Sequence, residues 1–573
     1  MNSNIAMAAS EADRRFDNYK EAFVQALWKT YPSWASSVGF HKYDDILVVP
    51  DAESRANELR FCRAQSDSLM RFKVDELSDA NKTDYYLIKN QIDYSLWSTA
   101  GLKAYEWDPS QYNVSGLFAE MLGNDYEPLD NRLRNFSKKL ESVPAYYSAA
   151  KRNIHNPTVE HTSLAIEQNL GGISVFEQDL GDALKKSKLN EAEKKQLQEK
   201  AKKAIAAIRD YTEWLKKMPN ATPRSFRLGK DLYKDKFAFE IQSRYTPDEI
   251  YAKAVDHKDE LHRKMYAITQ QLWPKYIGTK AMPDDKLVAI KQMIDALSIN
   301  HVKKDAFQEA IEKQLPQLIT FVKTKNLIYM DPSKPLVVRK EPAYMAGVAG
   351  ASISSPGPYD KNGNTYYNVG SLEGWDDTKA ESYLREYNHY ILPILNIHEA
   401  IPGHYTQLIY ANQSPSIVKA ILGNNAMIEG WAVYSELMML ENGFDIDKGP
   451  NSTEASPEMW LMYYKWNLRS TCNTILDVSV HTKDMSKDDA MHLLVNEAFQ
   501  QQAEAEGKWK RVSVTQVQLC CYFTGYTEIY ALREELKGIQ KDKFDLKKFH
   551  EQFLGYGSAP VKYIRQLMIS AKI

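Results

Sequence analysis

Two histidines, His398 and His404, enclose the stretch Glu399-Ala400-Ile401-Pro402-Gly403, and this heptapeptide dictates local shape more tightly than any other part of the chain. On an uninterrupted α-helix each residue turns by about 100°, so this spacing would leave the second imidazole roughly 120° away from the first. Pro402 lacks an N–H and its ring collides with the carbonyl four residues back, that of His398. Gly403 accepts conformations that other residues avoid. The spacing therefore predicts a kink or widened turn at Pro402-Gly403 that returns His404 to the side of His398.

A hydrolytic zinc site needs three protein ligands, an open position, and a carboxylate that can take a proton from water. His398 and His404 supply two ligands and Glu399 supplies the base. The third ligand is expected from the later run MIEGWAVYSE, where Glu429 and Glu436 share one helix face at an offset of about 20°. Glu429 is the choice, because Gly430 and Ala432 beside it let two helices approach closely around an ion. Glu436, two turns on, is read as orienting a histidine N–H, and an exchange of the two roles stays open. A lone His-Glu pair would be ordinary helix surface. Two histidines around Glu-Ala-Ile-Pro-Gly, followed by a pair of glutamates in step, point to one divalent ion, with zinc best suited to two imidazoles and a carboxylate.

Most of the surrounding chain reads as helix. The clearest case runs from Asn190 to Lys217, where Leu197, Ala201, Ala204, Ile205, Ile208, Tyr211 and Leu215 recur at helical spacing behind an Asn190/Glu193 capping box. Pro219, Asn220 and Pro223 end that helix, Leu228 to Thr246 has a different character, and a further helix starts at Pro247-Asp248-Glu249. These signals divide the chain into an N-terminal helical subdomain, 1–225, and a catalytic helical subdomain, 226–573. Strands are expected at Pro335–Val338 and Thr365–Val369, flanking a Gly, Ser and Pro-rich stretch, and helical periodicity returns from Ala380 to the end. The fold class is thus mainly α, with a deep cleft over the metal and a small β-sheet next to the metal-site helices.

Composition narrows the alternatives. With 43% hydrophobic and 26% charged residues the chain is globular, and a net charge of -2 gives no basic field for nucleic acid. Cys62, Cys472, Cys520 and Cys521 form no CxxC pair and read as buried free thiols. No apolar run approaches the ~18 residues that cross a bilayer, and the N-terminal stretch lacks the pattern of a signal peptide, although a chain trimmed of its export signal would look the same.

The motifs His-Glu-Ala-x-Pro-Gly-His and Glu-Gly-Trp-Ala-x-Tyr-x-Glu both stand intact here. In them, and over nearly the whole chain from RRFDNYKEAFVQALWKTYPSWASSVGFHKYDD to FHEQFLGYGSAPVKYIRQL, the sequence resembles the bacterial family known as domain of unknown function 885. The resemblance implies a mostly helical zinc metallopeptidase, similar in style to the thimet oligopeptidase and carboxypeptidase Taq groups. It implies His398, His404 and Glu429 as ligands of one Zn2+ and Glu399 as general base. It also implies a peptide substrate and a periplasmic or lipoprotein-anchored location, with an anchor on a segment upstream of this chain. The alternative is cytoplasmic.

Further candidates surround this core. In CYFTGYTEIYALREEL, Tyr522, Tyr526, Tyr530 and Arg533 recur at helical intervals, and Gly525-Tyr526 is similar to the Gly-Tyr of thimet-type oligopeptidases. Tyr526 is the candidate donor to an oxyanion, with helix packing as the plain alternative, and Tyr522 is a candidate for substrate binding. Arg533 suits a substrate carboxylate or a structural glutamate equally. His481 is a candidate substrate contact, unless Asp477, four residues earlier on the same face as Arg469, holds it for structure. Asn396 and Gln407 are candidates for support of the ligands, and the stretch Ala346 to Pro358 for an open strand edge that a peptide joins. The reading is peptide-bond hydrolysis by metal-activated water. Hydrolysis of a non-peptide amide or ester, and a non-catalytic metal- or peptide-binding protein, are the alternatives. The presence of Glu399 argues against the last, because a purely structural zinc site has no use for it.

Overall fold

The computed structural model of the protein describes residues 10–341, 351–360 and 363–570. The chain forms two units. The first runs to Phe226 and takes in two later segments, Pro356–Gly363 and Pro415–Leu422; the second comprises Arg227–Ser355, Asn364–Ser414 and Gly423–Ile573. The main stretch of the first unit ends at Phe226, and neither unit is contiguous in sequence. Long-range bonds explain why. Within the first unit the Trp28 indole donates to Tyr359 at 3.1 Å, and Ser416 donates at 2.9 Å to Asp84, which also pairs with the Lys419 ammonium.

In the first unit α1 (Glu11–Thr30) turns Phe16, Phe23, Leu27 and Trp28 into its core. The packed neighbours α2 (Ala52–Leu69) and α3 (Asp79–Trp97) follow. α4 (Glu191–Lys217) starts at the Asn190/Glu193 capping box and buries Leu197, Ala201, Ala204, Ile208, Tyr211 and Leu215, the face set by its periodicity. Ile205, predicted on that face, is only partly buried.

The second unit opens with a helix, Lys230–Glu240, in the stretch whose character the sequence left undefined; Tyr233 and Phe237 anchor it. α5 (Pro247–Tyr276) is capped by Thr246 and Glu249. The sheet has the order β1 (Leu336–Lys340), β3 (Thr365–Val369), β2 (Ala351–Ser354), with β1 and β3 parallel and β2 and β3 antiparallel. Both predicted strands are present, and β2 arises from the glycine-rich stretch between them as an edge strand. Residues 346–350 of the proposed open edge lie outside the described residues.

Six helices then build the site: α6 (Ile391–Glu399), α7 (His404–Asn412), α8 (Asn425–Glu441), α9 (Pro457–Thr482), α10 (Gln502–Val514) and α11 (Cys521–Gln540). α8 and α9 are buried on every face for most of their length, which makes them the centre of this unit; α8 is largely apolar, whereas α9 also buries Lys465, Asn467, Asn473, Asp477 and His481. The sheet docks beside α6, where the Tyr367 hydroxyl donates to the Asn396 carboxamide at 2.7 Å. The architecture is therefore mainly helical with a small three-stranded sheet. All four cysteines are buried free thiols.

Candidate metal centre

The heptapeptide resolves into two helices rather than one bent helix. α6 stops at Glu399, the Ile401-Pro402 peptide is cis, and α7 begins at His404. The Ala400 and Ile401 amides both donate to the Asn396 carbonyl, and the Gly403 amide donates to that of Ile397 at 2.9 Å. This folds the chain so closely onto the end of α6 that a Cβ on Gly403 would lie 1.9 Å from the His398 carbonyl oxygen. Only glycine fits there. The Trp431 indole fixes the Pro402 carbonyl from α8 at 2.8 Å. As a result the His398 and His404 rings stand 4.8 Å apart, nearly perpendicular at 88°.

Glu429 reaches the same point from α8. Its seat is a glycine contact between helices: a Cβ on Gly430 would lie 2.3 Å from the Gly525 carbonyl carbon, and one on Gly525 would lie 1.7 Å from the Ala426 carbonyl oxygen. α8 and α11 thus touch backbone to backbone. The Glu429 Oε2 lies 3.4 Å from His404 Nε2 and 3.7 Å from His398 Nε2. Glu436 sits behind His398 instead, accepting from Nδ1 at 2.7 Å and from the Trp466 indole at 3.0 Å. With Nδ1 committed to a carboxylate, the His398 Nε2 is turned toward Glu429.

One atom from each of His398, His404 and Glu429 falls within 4.8 Å of the others. A tetrahedral zinc with bonds of about 2.0–2.1 Å holds its ligand atoms about 3.3–3.5 Å apart, which is the scale of the two carboxylate–imidazole distances. Those distances are too long for good hydrogen bonds, and the buried Glu429 Oε2 has no hydrogen-bond partner. A buried carboxylate oxygen left in that state costs free energy that a cation would remove. The residues present therefore fit a divalent ion.

The electrostatics agree. Burial pulls the His398 imidazole down, but Glu429 and Glu436 outweigh it and raise its pKa to about 10. Burial pushes Glu429 up, and the two imidazoles more than reverse this, holding it well below the ordinary carboxylate range. Glu399 is pushed up, first by loss of water and then by Glu429, against the pull of His404, His398 and Arg469. The site is a pocket of three carboxylates and two imidazoles that calls for positive charge.

The other candidates are placed less as the sequence suggested. Tyr522, not Tyr526, faces the histidines: its ring lies 6.4 Å from that of His398 at 22°. Tyr526, one turn further along α11, has ring contacts with His257, Phe523 and Tyr530 and lines a cavity of 670 Å³ with Glu260, Glu441 and Tyr463. None of its described contacts reaches the metal ligands, because the Gly430–Gly525 crossing carries it past them. His481 is fully buried and donates from Nε2 to the Val512 and Thr515 carbonyls at 2.9 and 3.1 Å, so it ties α9 to the end of α10 rather than to a substrate. Asp477 is likewise engaged, by the Val517 and Leu519 amides and the Tyr233 hydroxyl. Arg533 spends its guanidinium on Glu441, at 2.6 and 3.3 Å, and on Glu534. Asn396 donates to Gln314 and Gln407 to Ser558; both brace the helices away from the ligands. Sequence reasoning passed over Trp466, Glu504, Lys508 and Arg511. They are spread over two helices, α9 and α10, and a Glu504/Lys508 pair at a spacing of four looks like any solvated helix face.

A mainly helical chain with a small sheet and a buried His-His-Glu constellation is the class that these features define. The chain belongs to the family described as bacterial proteins of unknown function, domain of unknown function 885 (DUF885), matching it over residues 32–568. It is 50% identical to "a putative lipoprotein of unknown function" from Shewanella oneidensis, whose structure superposes with a TM-score of 0.85 over 97% of this chain and 99% of that one. "The putative lipoprotein from Colwellia psychrerythraea" shares the fold at 15% identity, with a TM-score of 0.79 over 98% of this chain and 99% of that one. No curated protein matches the chain. Among the described residues, no helix is long and apolar enough to cross a membrane.

Proposed function

We propose that the protein is a zinc-dependent peptidase, and that His398, His404 and Glu429 hold the ion. The observation that carries this reading is the convergence of those three side chains from three helices, with Glu399 next in sequence to a ligand. Three protein ligands leave a tetrahedral ion one position open, as catalytic zinc sites do and structural ones do not. When bound, zinc supplies Lewis acidity that polarises a scissile carbonyl and lowers the pKa of water toward neutrality.

The chain's own residues account for the remaining steps. Glu399, its pKa raised from that of a free carboxylate, accepts the proton of the attacking water and delivers it to the leaving amine. Tyr522 receives a hydrogen bond from Arg511 at 3.1 Å. Burial, then Glu429, push its phenol up to about 12. It thus keeps its proton and has it free to donate to an oxyanion beside His398. Glu436, fixed by Trp466, holds the His398 ring in register. The lipoprotein description of the Shewanella relative supports a lipid-anchored or periplasmic location.

Metal analysis and peptide cleavage test the reading together. Wild-type protein is expected to carry about one zinc per chain, which His398→Ala loses. Glu399→Gln should retain the metal while cleavage falls by roughly 10²–10⁴-fold, the usual contribution of a general base. Undiminished cleavage by Glu399→Gln would falsify the mechanism, and a metal-free wild type would remove the site.

A further inference from the structure

Trp466 and Arg469 stand three residues apart on α9 and so share one helix face. The Arg469 guanidinium carbon lies over the Trp466 ring, 4.7 Å from its centroid. A cation and an aromatic ring at this spacing are common, and the contact alone would mean little. What sets it apart is what holds each end. On one side Arg469 is tied to a second helix, through Nη2 to Glu504 of α10 at 2.5 Å. On the other, the Trp466 indole donates across to α8 at 3.0 Å, to the same Glu436 oxygen that accepts from His398 Nδ1.

Glu436 depends on that donor. The carboxylate is fully buried, its other oxygen has no hydrogen-bond partner, and His398 and Trp466 are its only donors among the described residues. The place of the bonded oxygen, and with it the orientation of the His398 ring, is therefore set by where the Trp466 N–H points. Trp466 is itself buried, so its ring plane is decided by what packs on it. The Tyr387 ring meets it at 6.1 Å and 66°, and Lys465 holds Glu386, the residue before Tyr387, at 2.5 Å. Arg469 is the charged neighbour of the ring. Its charge is also felt by Glu436 itself: burial pushes that carboxyl up, and Arg469 is among the groups that oppose the rise.

We propose that Arg469 is a positioning residue for the metal ligand His398, acting through the Trp466 ring and Glu436. The series Glu504, Arg469, Trp466, Glu436, His398 then carries the placement of α10 into the metal centre. This inference rests on the metal site of the peptidase reading, but it is tested on the bound ion rather than on turnover.

Zinc affinity by chelator competition, and the visible absorption of the Co2+-substituted protein, whose bands report ligand geometry, are measured for wild type, Trp466→Phe, Arg469→Met and the double variant. Trp466→Phe keeps a ring and deletes the donor, and should weaken zinc by about tenfold, the lower end of losses when the partner of a ligand is disturbed. Arg469→Met keeps most of the packing and deletes the charge, and should weaken zinc by about three- to tenfold, in line with a buried cation–π contact. It should shift the Co2+ bands in the same sense as Trp466→Phe. In the double variant the loss should equal that of Trp466→Phe to within about twofold, because Arg469 then has no donor to act through. Should Arg469→Met not fold, Glu504→Gln, which loosens the guanidinium from its anchor, takes its place under the same criteria. Unchanged affinity and spectrum in Arg469→Met, whatever its melting temperature, would make the residue structural and overturn the inference. Losses that multiply in the double variant would overturn it too, since Arg469 would then act by another route. A wild type that binds neither ion removes the metal site and the inference together, whereas normal wild-type binding with unchanged variants removes the inference alone.

Discussion

Glu436 shows how much the proposed metal centre depends on a side chain that would touch no ion. It is fully buried, and one of its oxygens takes both the His398 Nδ1 proton and the Trp466 indole proton. Glu436→Gln keeps the shape but replaces an anionic acceptor with a neutral one, making His398 a poorer ligand. Loss of such a partner typically weakens metal binding by about 10–100-fold. Zinc affinity measured by competition with a chelator should fall by that factor while the far-ultraviolet circular dichroism stays unchanged. An affinity within twofold of wild type would mean that His398 is held by its helix alone. The ligand motif was legible because its parts are local: two histidines, a glutamate between them, and two glutamates in helical phase. Tyr522 and Tyr526 were harder to tell apart. They lie one turn from each other on α11, and only the crossing of α11 with α8 decides which one meets His398.

At the level of elements, the glycine contact between α8 and α11 sets the position of Glu429. Gly430→Ala puts a methyl group 2.3 Å from backbone atoms of α11, and Gly525→Ala puts one 1.7 Å from a backbone oxygen of α8. Backbone cannot step aside as a flexible side chain can. Each substitution should therefore destabilise the protein by about 3 kcal/mol or more, at the upper end of overpacking costs, and should also weaken zinc binding by pushing the two helices apart. Urea unfolding and chelator competition measure the two effects. A stable Gly430→Ala with normal zinc affinity would show that the helices part without moving the site. The sequence suggested this closeness through Gly430 but named no partner helix, since Gly525 was read with Tyr526 as a chemical pair. Similarly, Pro402 and Gly403 announced a change of direction, and the structure realises it as a full break between α6 and α7. Helix starts were legible where caps are local, at Asn190 and Thr246. The helix Lys230–Glu240 was not, because only Tyr233 and Phe237 anchor a segment that is otherwise charged.

For the molecule as a whole, the three proposed ligands come from α6, α7 and α8, all within the second unit. The chain between α7 and α8 passes through Pro415–Leu422, a segment of the first unit, where Lys419 neutralises Asp84. No local pattern marks such an excursion. Its evidence is an ion pair between residues far apart in sequence. An ion that joins three helices of one unit must stabilise that unit by mass action, because the unfolded chain does not hold the ligands together. The gain is about 2.7 kcal/mol when free zinc exceeds its dissociation constant a hundredfold. The melting temperature of the wild type should therefore rise steadily with the logarithm of free zinc and fall on adding chelator. His398→Ala and Glu429→Ala should show no such rise. Glu399→Gln should keep it in full, because Glu399 is assigned to proton transfer and not to the ion. Calorimetric scans of the four proteins across a zinc series read these outcomes directly. A Glu399→Gln protein that loses the shift would move Glu399 into the ligand set, and a Glu429→Ala protein that keeps it would remove Glu429 from that set.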